Sequence, residues 1–161
     1  MTIKQFKQAT EPALLALLTG AEENSEERFT YMSEFCAAYR IFLIESRKTN
    51  YEDASMKFCK QYGDINEAEK TAHKYYNILS GGLEAFKIQE KKDIEKRYNA
   101  ATEKAFTKIQ SKLTGEIKIL ECSLHLGCID MIITDGKKSV SCQTILAWGM
   151  IQRPHYRYLV K

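Results

Sequence analysis

The spacing of apolar residues changes once along this chain, at Gly115, and that change limits the folds open to it. Before Gly115 the apolar side chains recur every three or four residues; after it they recur roughly every second residue. Helices grouped first and strands grouped after describe an α+β chain, not alternating βαβ units. The expected architecture is a helical region over 1–115, including one long helix over 83–113, followed over 116–161 by a small antiparallel sheet of three to four strands. Sheet and helices are expected to pack together as one compact unit.

Within the helical region, Pro12 places the first helix start at Thr10 or Glu11, because proline is tolerated in a first turn and disruptive later. That helix should end near Gly20. Asn24 with Glu27, Asn50 with Asp53 and Asp64 with Glu67 all carry cap-like spacing. The first pair precedes Phe29, Met32, Phe35, Cys36, Tyr39, Phe42 and Leu43, which share one helical face and form the strongest core signal. Gly81-Gly82 marks a stop, hinge or kink. The long segment then carries Ile94, Tyr98, Ala101, Ala105, Ile109 and Leu113 at coiled-coil-like spacing, with a thin stretch around Glu90 to Asp93. Ala100, Ala101 and Ala105 permit close approach, so a homodimer through this helix is one expectation.

Past Gly115, Ile117, Ile119, Leu120, Cys122, Leu124 and Leu126 alternate approximately with polar residues. Ile129 to Ile133 is a short apolar run rich in β-branched side chains. Asp135-Gly136 is a hairpin signal. Val140, Cys142, Thr144 and Leu146 again share a period of two. Arg153-Pro154 interrupts the pattern, and His155 to Val160 reads as a last strand.

Charge excludes little. The 161 residues carry 24 Lys+Arg against 21 Asp+Glu, a net of +3. The helical part holds 18 basic and 17 acidic residues and the strand-rich part 6 and 4, so the small excess lies mainly in the shorter piece. Such a balance does little to steer a polyanion from a distance. Five cysteines is an odd number for a disulfide framework. With no recognisable export signal at the start, free thiols in a reducing cytoplasm are expected. No apolar stretch approaches the ~18 residues of a membrane span, so no membrane partner is expected.

Two groups of residues carry candidate chemistry. Cys122, His125, Cys128 and Cys142 are of the types that ligate zinc, which requires four donors in a tetrahedron. In a straight strand His125 would face away from Cys122 and Cys128, so the same residues also read as small sheet-core side chains beside an exposed histidine. Cys142 with His155, or Cys128 with His125, would be the pairs for a thiolate nucleophile and its base. No GxSxG, HExxH, P-loop or dinucleotide fingerprint accompanies them. Glu22, Glu23, Glu26 and Glu27 sit at a helix start, and Asp130 and Asp135 near a turn, where carboxylates have local structural work.

The second group is aromatic and basic: Trp148, Arg153, His155, Tyr156, Arg157 and Tyr158. Arginine and tyrosine are favoured anchors of protein interfaces, and the same types stack bases and contact phosphates. The expectation is a non-catalytic intracellular protein-binding protein, an adaptor, inhibitor or assembly factor, that uses this C-terminal surface and needs no cofactor. A nucleic-acid-binding protein and a cysteine- or zinc-dependent enzyme are the alternatives.

Overall fold

The structure, a computed structural model, describes residues 1–125 and 128–145. Five helices come first: α1 (Ile3–Glu23), α2 (Ser25–Lys48), α3 (Tyr51–Tyr62), α4 (Ile65–Ser80) and α5 (Gly82–Lys112). Three strands follow, β1 (Lys118–His125), β2 (Cys128–Thr134) and β3 (Ser139–Ile145), in an antiparallel sheet of order β1-β2-β3. The fold is α+β, with the helices preceding the sheet. The expected last strand over 155–160 lies outside the described residues. Among the described residues no helix is long and apolar enough to cross a membrane.

Three local expectations are corrected. The first helix begins at Ile3, not at Thr10, and carries Pro12 in its interior. Pro12 and Gln8 lie on the exposed side, so the Gln8 carbonyl that Pro12 leaves without its N–H partner need not be buried unpaired. The buried side, Phe6, Thr10, Ala13, Leu17 and Ala21, runs through the proline and holds the turns together. Asn24 does not cap α2 with its side chain, because its φ of −101° and ψ of 8° are not those of an extended cap residue. Its backbone carbonyl accepts from the Arg28 N–H instead. Leu120 is not a core residue. A bulge between Ile119 and Glu121 turns it out to 58% exposure while Ile119 and Cys122 keep to the same face.

The other caps follow the sequence. The Asn50 side chain accepts from the Glu52 N–H, and Asp64 Oδ1 accepts from the N–H groups of Asn66 and Glu67. Gly81-Gly82 proves to be a stop, with Gly82 at a φ of +81° opening α5. That left-handed value suits a residue without Cβ. The 31 residues of α5 span about 46 Å.

The chain divides into two compact units that differ from the division at Gly115. One is Glu23–Gln89. The described part of the other joins Met1–Glu22 to Glu90–Ile145, so α5 supplies residues to both.

In the first, α2, α3 and α4 pack around aromatic rings. Phe58 is central, with ring centroids 5.1 Å from Tyr62, 5.8 Å from Phe42, and 5.9 Å from both Phe35 and Tyr39. Phe86, from the start of α5, packs edge-on to Phe29. Leu43, expected among the core residues, is 36% exposed, on the rim of that face.

In the second unit the core joins α1 and α5 to one face of the sheet: Phe6, Leu17, Ile94, Tyr98, Phe106, Ile109, Leu113, Ile129, Met131 and Ile133. β2 alternates strictly, with Ile129, Met131 and Ile133 buried and their neighbours half-buried, as a central strand packed on one side should. Glu90 is buried, so the thin stretch of the apolar stripe is not a solvated gap.

Candidate functional site

The β2–β3 turn is the most densely bonded polar feature. Asp135 Oδ1 accepts from the N–H groups of Lys137 (2.9 Å) and Lys138 (2.8 Å). Its Oδ2 accepts from Thr114 N–H at 3.2 Å, tying the turn to the segment that leaves α5. These amides stabilise the carboxylate and hold its pKa at about 2, below the usual 3.8. Gly115 closes the same junction. A Cβ there would meet the Asp135 carbonyl oxygen at 2.9 Å and the Asp135 Cβ at 3.2 Å. The Asp135-Gly136 signal therefore marks both a turn and a clamp on the end of the long helix, and its carboxylate is spent on structure.

The three cysteine candidates lie in the sheet but do not all share a face. Cys122 and Cys142 are the register partners of Met131, one on each side, and so share the inner face. Cys128 is three residues from Met131 along β2 and faces the other way. His125 is paired with Cys128 through the backbone register. Among the described residues no three His, Cys, Asp or Glu side chains are placed to hold a metal ion. Cys122 is exposed at the edge of the sheet, and partial burial raises its thiol pKa. Cys36, buried in the helical unit, is raised to about 11 by burial, with Arg40 opposing. Neither is an activated thiolate.

Trp148, Arg153, His155, Tyr156, Arg157 and Tyr158 lie outside the described residues. The pairing of Cys142 with His155 falls there too.

One open groove of about 410 Å³ lies between α1 and the second half of α5. Lys4, Gln8, Glu11 and Asn99 line it, with Lys7 bridged to Glu103 at 2.7 Å. Beneath it, the hydroxyls of Thr10 and Tyr98 share a hydrogen bond of 2.5 Å, and the Tyr98 hydroxyl donates to the Lys7 carbonyl at 3.0 Å. Burial raises the Tyr98 pKa. The Thr10 and Tyr98 hydroxyls and the Lys7 carbonyl are thus bonded to one another, and they brace α1 against α5.

Sequence reasoning passed over the outer face of α2. Ala37, Ile41 and Ile44 follow one another at four and three residues on the side away from Met32, Phe35 and Tyr39. Ile41 is 54% and Ile44 49% exposed. Arg40, Arg47 and Lys48 are exposed around them, with Arg40 standing 5.3 Å over the Tyr76 ring. The signal lay in the run from Phe35 to Ile44, which holds more apolar residues than one buried stripe can use.

Compared with protein-family models, with curated proteins and with solved structures, the chain matches none.

Proposed function

We propose that this chain is a non-catalytic protein-binding protein, acting in the cytoplasm as an adaptor, inhibitor or assembly factor. The observation that carries this reading is the outward row of Ala37, Ile41 and Ile44 on α2, ringed by Arg40, Arg47 and Lys48. Exposed apolar side chains that cluster on one face are a common feature of interaction surfaces, and arginine is enriched at such interfaces. The aromatic-basic run Trp148, Arg153, Tyr156, Arg157 and Tyr158 supplies a second set of interface residue types.

The test is quantitative binding with a partner first recovered from the native cell and then purified. The variants I41D/I44D and R153A/Y156A/R157A should each weaken binding at least about tenfold while leaving the circular dichroism spectrum unchanged. Unaltered affinity in both variants rejects the reading. Binding to DNA or RNA that falls with added salt would replace it with nucleic-acid recognition.

A further inference from the structure

Lysine recurs along α5 at a fixed step. Lys92, Lys96, Lys104, Lys108 and Lys112 stand at multiples of four residues, with Ala100 filling the one vacant step. All five are exposed, and among the described residues none of them is ion-paired. At about 1.5 Å per residue the charges follow one another every ~6 Å over about 30 Å. Residues four apart share a helix side, so the row runs obliquely along the solvent side of α5, while Ile94, Tyr98 and Ile109 are buried. Like charges at that spacing oppose their own helix. Lys104 and Lys108 have no carboxylate three or four residues away to offset this. The Asp135 clamp brings a turn with two more exposed lysines, Lys137 and Lys138, to the end of the helix.

We infer that this row binds an extended acidic segment of a protein partner, its carboxylates set against the lysines. Charge selects an anion, and spacing selects its form. Alternate residues of an extended chain lie about 6.6 Å apart on one side, close to the ~6 Å step of the row, so successive carboxylates can meet successive lysines. Nucleic acid fits less well. No aromatic side chain is exposed on α5 to stack a base. Asp93, Glu95 and Glu103 stand beside the row, where they oppose a backbone charged at every unit. A peptide can set neutral residues opposite them. The chain's own end does not supply the acid, because residues 146–161 contain no Asp or Glu and add Arg153, Arg157 and Lys161. The row lies in a different unit from the outer face of α2, and the inference does not rest on the reading built there.

Fluorescence anisotropy of the full chain with labelled poly-L-glutamate tests it. A probe of about 12 residues is long enough at ~3.3 Å per residue to span the row. At about 50 mM salt, where exposed charges are weakly screened, the wild-type chain should bind this probe, and the affinity should fall as salt rises. The variant K96E/K104E/K108E, changed only at exposed positions, should keep its circular dichroism spectrum and weaken binding at least about tenfold. K57E/K60E/K70E makes the same change of net charge on α3 and α4 and should leave the affinity nearly unaltered. A wild-type chain that does not bind polyglutamate overturns the inference. So does an affinity that K96E/K104E/K108E leaves unchanged, and so does equal loss in the two variants, which makes net charge the cause. A DNA duplex or a phosphatidylserine vesicle that binds the same row more tightly than polyglutamate also overturns it, in favour of a phosphate ligand.

Discussion

Glu23–Gln89 is centred on rings, with four aromatic neighbours within 6 Å of Phe58. The unit built from Met1–Glu22 and Glu90–Ile145 is centred on aliphatic side chains, and directional bonds set its geometry: Thr10 to Tyr98 between helices, Asp135 to Thr114 between turn and helix end. Rings lose large area together when one is removed, whereas a clamp loses geometry when one atom is added. The same size of perturbation should therefore act through different residues in the two units.

The largest expected effect comes from Phe58→Ala, which deletes the shared neighbour of Phe35, Tyr39, Phe42 and Tyr62. Loss of a buried phenylalanine costs about 3–5 kcal/mol. Hydrogen exchange should show amides of α2 to α4 opening while those of β2 keep their protection. Equal loss in both would show that the two units open as one, and the contrast between them would fail. Gly115→Ala is the complementary change. Its Cβ would press on the Asp135 backbone, and we expect a loss of about 1–3 kcal/mol, read as reduced protection at Lys112–Leu113 and across the β2–β3 turn with α3 unaffected.

A smaller, pH-dependent effect sharpens the same contrast. Asp135 has its folded pKa lowered to about 2 from 3.8. Its contribution is fully present above the unfolded value and fades as pH falls from near 4 through 2. The carboxylate is exposed, so the effect is modest. The sheet unit should lose relative stability over that acid window, and Asp135→Asn should flatten the loss. An unchanged acid profile in Asp135→Asn would place the sensitivity elsewhere.

The order of elements was legible because period and punctuation agree. Asn50 and Asp64 cap, Gly82 stops a helix, and Asp135-Gly136 turns the chain. The misreadings share a cause, which is that a local rule was overruled by a longer-range one. Pro12 yields to the buried side of α1 on either side of it. Leu120 fits an alternating pattern until the bulge removes it. Cys122, His125 and Cys128 look like a compact triplet, but the register partners of Met131 put Cys122 on the face opposite Cys128. Which residues of a helix face solvent is equally hard to read when its pattern is apolar nearly all round, and so Ile41 and Ile44 escaped notice. The aromatic-basic candidates from Trp148 to Tyr158 remain a sequence-level expectation, resting on residue type and spacing.

The bulge at Leu120 also says something about chain length. Ile119 pairs with Ile133, Glu121 with Ile132 and Cys122 with Met131, so β2 has no position that corresponds to Leu120. Residue 120 is an insertion in the ladder, and a chain one residue shorter there would keep every other pairing. What it would lose is the interruption. The β1 border would then present its N–H and C=O groups in an unbroken row to any further strand. One supernumerary leucine, set half in water, breaks that row.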